Sequence, residues 1–367
     1  MAGKQNEKRK AAKSEKQQEK RGKAAKDAKD ARSAQPEKAG KSGKPGKSEE
    51  REKAPKPERA AEPAKTGNHG KPGKPGKPGE RSGADGSGAR PLRELLRVPP
   101  GERPDLGHLD PSATPGGPAS KAAGAAATAL LAQPLGSLQE RLYAASTAGD
   151  RRRVLLVLQG MDTSGKGGTL KHVIGLFNPS GCRIKAFKAP TPEELGHPFL
   201  WRIKQELPRP GEIGIFDRSH YEDVLIARVR ELVPRNRLRA RYAQINRFEK
   251  ALVDDGVTVV KVFLHIGYEE QRARLLARLD DPDKHWKFNV GDIEERGAWA
   301  AYQEAYEVAL ERCSTDAAPW YVVPADRKWY RNWAISTLLR EHLEDLDPQY
   351  PKGDFDVEEC RRRLLAG

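Results

Sequence analysis

From residue 151 onward, short apolar runs alternate with longer stretches in which apolar residues return every three or four positions. Residues 154–158, Val-Leu-Leu-Val-Leu, are apolar throughout rather than alternating. That pattern predicts a strand buried on both faces. Further strands are predicted at 183–187, 212–216, 257–265 and 321–323. Between them, helices are predicted over 165–176, 192–206, 221–231, 237–254, 269–279, 297–313 and 330–346. Leu195, Phe199, Leu200 and Ile203 carry the helical period of the second of these. The alternation implies an α/β domain, three layers deep, with a mostly parallel sheet covered by helices on both faces. The domain is expected to span 135–350. Within it, 269–300 reads as a helical lid, because a charged, Trp-containing excursion is inserted between the fourth and fifth strands.

Ahead of that domain the periodicity fades. Leu92, Leu95, Leu96 and Val98 predict a short helix, after which Pro99-Pro100-Gly101 and the Pro111–Pro118 stretch predict an irregular strap, over 91–134 in all. Ser137 is predicted to cap a helix carrying Leu138 and Leu142 and running to about Ser146. Residues 351–367 form a C-terminal extension.

Charge separates the first quarter of the chain from the rest. Residues 1–90 hold 26 Lys and Arg and 13 Asp and Glu, against 67 and 52 in the whole chain, so residues 91–367 hold 41 and 39 and are nearly neutral. The same quarter lacks Phe, Trp, Tyr, Val, Ile and Leu and contains a Gly-Lys-Pro repeat at 70–79. It cannot bury enough apolar surface to offset an ordering cost of roughly 1–2 kcal/mol per residue. It reads as a disordered basic tail: solubilising, holding a polyanion by counterion release, or serving as a nuclear-type address signal. Nucleic acid is expected to meet it only through non-specific contact.

Cys182, Cys313 and Cys360 are single and widely spaced, which suits a reducing cytosol and offers neither a disulfide framework nor a zinc site. No run approaches the ~20 apolar residues of a membrane span, so a cytoplasmic protein with no membrane partner is expected.

The strongest chemical signal follows the first predicted strand. Gly160, Gly165 and Lys166 fit the G-x-x-x-x-G-K spacing of a phosphate-binding loop. Strand, loop and helix are in the order such a loop needs, and loop amides at a helix start favour phosphate. The next position, ordinarily a Mg²⁺-binding Ser or Thr, is Gly167, and an acid, Asp162, sits inside the loop instead. Asp217 ends the third strand at the carboxyl edge of the sheet, where a Mg²⁺-organising acid belongs, and Arg218 follows it with a guanidinium matched to phosphate oxygens. Arg274 and Arg278, spaced i, i+4, share a face of the lid helix, with Arg272 off that line. A last cationic cluster, Asp326-Arg327-Lys328-Trp329-Tyr330-Arg331, opens the final helix. His172 and His220 have weaker cases, and no nucleophile–His–acid arrangement is found.

Read together, Gly160-Met161-Asp162-Thr163-Ser164-Gly165-Lys166-Gly167-Gly168-Thr169, Phe187-Lys188-Ala189-Pro190-Thr191, Asp217-Arg218-Ser219, Arg278-Leu279-Asp280-Asp281-Pro282 with Lys284 and Trp286-Lys287-Phe288, and Pro324-Ala325-Asp326 with Lys328-Trp329 resemble the type 2 polyphosphate kinase family. The resemblance covers roughly residues 90–350, with the blocks in family order. It implies a P-loop kinase fold with a lid. It also implies Mg²⁺-dependent, reversible phosphoryl transfer between inorganic polyphosphate and nucleotides, with Mn²⁺ as a substitute ion. By matching position, Asp162, Lys166, Asp217 and Arg218 would be catalytic, and Asp162 and Asp217 would hold the metal. Gly160, Gly165, Gly167, Gly168, Thr169, Lys188, Arg278, Lys284, Lys287 and Lys328 would bind phosphate. His220-Tyr221-Glu222-Asp223 resembles the branch that accepts nucleoside mono- and diphosphates, with Glu222 and Asp223 on the acceptor. ADP and GDP, and AMP and GMP, are the acceptors this implies. That branch often carries Asp where this chain has Gly167 and Asn where it has Asp217. The tail is not part of the family pattern, and a homo-oligomer is expected.

Two rival readings belong to other classes. One is an ATP-dependent nucleoside monophosphate or small-molecule kinase on the same fold. The other is a non-catalytic polyanion or nucleic-acid binder acting through the tail.

Overall fold

Wholly apolar strands force a sheet that is covered on both sides. The computed structural model describes residues 90–367, so the predicted tail, apart from Arg90, lies outside the described residues. Five strands, β1 (Arg153–Gln159), β2 (Cys182–Ala186), β3 (Ile213–Asp217), β4 (Val257–His265) and β5 (Trp320–Pro324), form one sheet in the order β2-β3-β1-β4-β5. Every pairing is parallel. Successive residues of β1 point to opposite layers. Leu155 and Val157 join one buried cluster with Phe216, Phe263 and Trp320, while Val154, Leu156 and Leu158 join a second with Ile213, Ile215 and Val262. All five of those β1 side chains are fully buried, each contributing on the order of 1.5–3 kcal/mol of apolar burial.

The helices, in chain order, are α1 (Leu92–Leu96), α2 (Lys121–Leu130), α3 (Ala132–Thr147), α4 (Lys166–His172), α5 (Pro192–Leu195), α6 (Trp201–Lys204), α7 (Ile226–Val229), α8 (Arg235–Asp254), α9 (Tyr268–Leu279), α10 (Gly291–Gly297), α11 (Trp299–Cys313), α12 (Lys328–Leu346) and α13 (Val357–Ala366). The layer on the Leu155 side is built by α8 and α11, and that on the Leu156 side by α1, α3 and α12.

Five predicted elements differ. Residues 192–206 form two short helices rather than one, because Pro198 lacks an N–H and disfavours helical backbone at His197. Residues 221–231 divide into a 3₁₀ turn over His220–Asp223 and α7, the turn tightened by Ser219, whose hydroxyl accepts from Tyr221 N at 3.2 Å. The loop's helix ends at His172 and tightens into a 3₁₀ turn over Ile174–Leu176. The strap is not irregular throughout. Its alanine run forms α2, capped by Ser120 accepting from Ala123 N at 3.2 Å. Helix α3 then starts at Ala132, so Ser137 lies inside it rather than at its cap. Gly124 lets α2 approach closely: a Cβ there would meet the Trp329 ring at 2.2 Å.

The strap also closes a sheet edge. Arg97 forms an antiparallel bridge with Tyr321 of β5, and Val98 N donates to Trp320 O at 2.8 Å. Register then places the site. Leu158 pairs with Asp217, Gln159 with Phe263, and His265 with Pro324, so four strands end together at one edge.

Candidate active site

The chain leaves β1 where the sheet order reverses, with β3 on one side and β4 on the other; open α/β sheets bind ligands at such a point. The turn that follows is tight. Gly165 adopts φ +114°, and Thr163, without a glycine's freedom, is held at φ +62°. Lys166 folds back inside the loop, its Nζ donating to Gly160 O at 2.7 Å and Met161 O at 3.4 Å. Arg331 reaches in from α12, with Nη1 3.5 Å from Ser164 O. A Cβ on Gly168 would lie 2.7 Å from Arg331 Nη2, whereas one on Gly167 would meet nothing within 4 Å. Thr169 is buried, and its hydroxyl donates to Gly165 O at 3.3 Å, so it braces the helix start from within.

Acids gather on the β3 side of the loop. Asp217 closes β3 opposite Leu158. Arg218 follows with φ +62°, its N–H donating to Leu158 O at 3.1 Å and its Nη2 to Asp162 Oδ1 at 3.1 Å. Burial pushes the Lys166 ammonium below its ordinary pKa; Asp162, Asp217 and Glu222 oppose that, and Arg218 adds to it. Glu222 is pushed upward by burial, opposed by Arg218 and Lys166. Lys166 therefore stands among three carboxylates and a guanidinium. Asp223, also raised by burial, faces Arg241 at 3.3 Å and Arg202 at 4.0 Å. Lys188 is exposed, and its carbonyl accepts from Arg202 Nη1 at 2.8 Å. That contact orders the backbone after β2 and leaves the Lys188 ammonium in solvent.

Cations gather on the other side. A cavity of about 450 Å³ is lined by Thr163, Gly165, Gly168 and His172 from the loop and α4, by Arg274, Arg278, Lys284 and Lys287 from the 269–300 segment, and by Lys328 and Arg331 from α12. The remaining lining residues, Ala277 and Asn332, add no carboxylate. Arg274 bolts α9 to the loop. Its Nη1 donates to Thr163 O at 2.9 Å, its Nη2 to Ala325 O and Asp326 O at 2.8 Å, and its Nε to Glu270 at 2.7 Å. Gln271 adds a bond to Asp162 O at 3.2 Å. Arg278 donates to Lys287 O at 3.0 Å. Lys284 pairs with Asp281, and Lys287 lies 4.8 Å over the ring of Trp286, which is 79% exposed. Burial and then Arg274 push the Arg331 guanidinium down to about 10. Lys328 is likewise lowered by burial. Arg272 turns away to Glu269.

Sequence reasoning did not single out Gln159, Gln271 or Arg202. A polar residue ending an apolar strand was the available signal for Gln159, whose Nε2 donates to Ser219 Oγ at 3.1 Å. His220 is a core residue, 1% exposed.

The donor chemistry also bears on metal binding. Asp162 and Asp217 offer hard oxygen ligands beside the loop, and Arg218 engages only one oxygen of Asp162. Among the described residues no group of three or more His, Cys, Asp or Glu gathers into a closed cage. Two carboxylates with the remaining shell left to water and phosphate suit Mg²⁺.

The family described as Polyphosphate kinase 2 matches residues 119–351. The chain belongs to the polyphosphate kinase 2 family. It is 50% identical over 256 residues, 70% of this chain and 94% of the relative, to the AMP/ADP-polyphosphate phosphotransferase of Meiothermus ruber. It is 43% identical over 230 residues, 59% of this chain and 78% of the relative, to the ADP-polyphosphate phosphotransferase of Rhodopseudomonas palustris. The crystal structure of polyphosphate kinase 2 from Arthrobacter aurescens TC1 superposes with a TM-score of 0.74 at 48% identity, covering 76% of this chain and 98% of that one. The family and the P-loop kinase fold expected from the sequence blocks are therefore both found, and the polyphosphate kinase 2 match takes in every block that carried the resemblance.

Proposed function

We propose that this chain transfers a phosphoryl group reversibly between inorganic polyphosphate and nucleoside mono- and diphosphates, with ADP plus polyphosphate giving ATP as the reference reaction. The observation that carries the reading is the division of charge about Lys166. On one side lies a cavity lined by Arg274, Arg278, Lys284, Lys287, Lys328 and Arg331, with no carboxylate and no Phe, Tyr or Trp. Such a lining suits a long polyanion that has no base to stack. On the other side Asp162, Asp217 and Glu222 act on the same ammonium through their charge, as suits an acceptor phosphate organised through a metal. The Meiothermus ruber relative is named for both AMP and ADP, which supports acceptors of both lengths; GMP and GDP are proposed by the same logic, since the phosphates and not the base do the chemistry.

In the forward direction a terminal phosphate oxygen of the acceptor attacks the end phosphorus of polyphosphate. One P–O bond forms, the bridging P–O bond breaks, and the shortened chain leaves as an anion. Such transfer needs positioning and charge neutralisation more than covalent protein chemistry. Lys166 would hold the oxygens between donor and acceptor. Arg218, kept beside the loop by Asp162, would take the acceptor phosphate. Asp162 and Asp217 would hold Mg²⁺, or Mn²⁺ in its place, which would neutralise charge on both substrates. Closure of 269–300 would exclude water. A reducing cytoplasm is part of the same proposal and is supported by the three free thiols Cys182, Cys313 and Cys360. No helix among the described residues is long and apolar enough to cross a membrane.

The test is a panel of AMP, ADP, GMP and GDP, each incubated with long-chain polyphosphate and Mg²⁺ and read by nucleotide product. Phosphorylated nucleotide from polyphosphate is expected. No product with any acceptor, together with phosphorylation of AMP by ATP, would replace the proposal with an ATP-dependent kinase.

A further inference from the structure

The Leu155-side core contains a charged cluster that the proposed reaction does not use. Lys261, in the middle of β4, is fully buried, and its Nζ donates to Glu249 Oε2 at 2.6 Å, Cys313 O at 2.6 Å and the Tyr221 hydroxyl at 3.0 Å. Glu249, on α8 and 1% exposed, spends its other oxygen on two more donors: the Tyr221 hydroxyl at 2.8 Å and His220 Nε2 at 3.1 Å. A buried Lys–Glu pair of this kind adds little net stability over an apolar pair of similar volume. What it adds is direction, because donors from β4 and from the turn after β3 converge on one carboxylate.

Two of those donors, His220 and Tyr221, lie between Arg218 and Glu222. Arg218 is held at φ +62°, a backbone state that persists only where its surroundings over-determine it. Its own N–H is fixed to Leu158 O, and the next residue, Ser219, is fixed by Gln159. Its downstream flank is fixed by Glu249. We propose that Glu249 is a positioning residue for phosphoryl transfer: its side-chain oxygen, accepting from His220 and Tyr221, holds the 218–222 turn so that Arg218 and Glu222 face the phosphate loop. The proposal rests on the polyphosphate-transfer reading of that loop. Glu249 acts only through the turn.

Two charge-neutral double variants of the full chain test it. E249Q/K261M keeps an oxygen acceptor for His220 and Tyr221, whereas E249L/K261M removes it and leaves an uncharged core. Hydrogen–deuterium exchange of the peptide covering 214–225, measured without substrate, reads the anchoring. The kcat and the KM for polyphosphate, with ADP as acceptor, read its consequence. In E249L/K261M, exchange in that peptide is expected to rise about tenfold and kcat to fall about 10–100-fold, as misplaced reacting groups do. The KM for polyphosphate should stay within about twofold, because the cationic cavity is untouched. E249Q/K261M should stay near wild type on all three. If the leucine variant does not fold, Tyr221→Phe removes one hydroxyl and no packing, and a several-fold loss of kcat is expected. Unchanged exchange and unchanged kcat in whichever of these folds would overturn the proposal. Wild-type protein without transfer from polyphosphate would instead remove the activity reading, and the exchange comparison alone would then decide the anchoring.

Discussion

Arg331 lies across the phosphate loop so closely that a Cβ on Gly165 would sit 1.7 Å from its Nη1. Gly165 also holds φ +114°, where side chains are strained. Gly167, two residues on, faces open space. The two glycines should therefore respond oppositely. Gly165→Ala is expected to lower stability by about 1–3 kcal/mol and kcat at least about 100-fold. Gly167→Ala should leave the melting temperature within a degree or two. Thermal melts and transfer assays on both variants check this; a stable, active Gly165→Ala would mean that neither the left-handed backbone at 165 nor the Arg331 contact limits the loop.

The Asp162–Arg218 contact joins the loop to the end of β3. Both side chains keep substantial solvent exposure, so their pairing should matter little to folding and much to charge placement. Asp162→Asn and Arg218→Lys are each expected to keep the wild-type melting temperature and to reduce kcat about 100–1,000-fold. Lysine is not a substitute at a site that uses the guanidinium fork. Retention of more than about a tenth of wild-type kcat in both would separate this ion pair from the chemistry.

The cationic cavity should be read by salt. Lys284→Ala and Lys287→Ala change residues at its outer part and should raise the KM for polyphosphate several-fold, with the KM for ADP unchanged and a shallower dependence on ionic strength. Removing residues 1–89, with their excess of Lys and Arg, should preserve kcat and weaken only the salt-sensitive affinity for long chains. Polyphosphates of graded length, assayed at two ionic strengths, separate these effects. Identical KM values for short and long chains in the full and shortened proteins would assign the tail no part in substrate capture.

Acid should destabilise the fold through His342. Its Nε2 lies 3.0 Å from the Tyr321 hydroxyl, and burial and then Arg93 push its pKa down to about 4 from an ordinary 6.5. The unfolded chain takes up a proton there as pH falls through the ordinary value, while the folded chain resists until about pH 4. Stability is therefore lost as pH falls across that window, by at most about 3 kcal/mol from this group. His265, also lowered by burial, acts in the same direction. Denaturant melts between pH 7 and pH 4 should show a smaller decline in His342→Gln than in wild type; equal slopes would rule out His342 as the source.

Much of this was legible in the residue order, and for identifiable reasons. Apolar runs such as 154–158 can only be interior strands, so the sheet and the loop after β1 follow from local pattern. Asp217 and Arg218 were found because a strand's last residue has one place to go. What pattern does not carry is partnership across the chain. Lys261 sits in a Val-rich strand, and nothing near it in sequence names Glu249 or Tyr221. Arg331 was visible as one cation in a cluster, but its path over Gly165 depends on how α12 docks. Pro198 gave a sufficient reason to divide 192–206, yet the apolar period on either side outweighed it. The α2 run lacked apolar spacing because its helix rests on alanine and on one glycine against Trp329.

The two edges of the sheet are guarded in different ways. On β2 the guard is charge, since Arg183 and Lys185 both pair with Glu206 and make a poor template for another strand. On β5, whose five residues are all buried, the guard is the short antiparallel contact from Arg97 and Val98. A chain shortened to residue 90 keeps that cover. One shortened past residue 98 would bare an apolar edge lined with unpaired backbone donors and acceptors, so the few residues ahead of the catalytic fold set how far it can be trimmed before it aggregates.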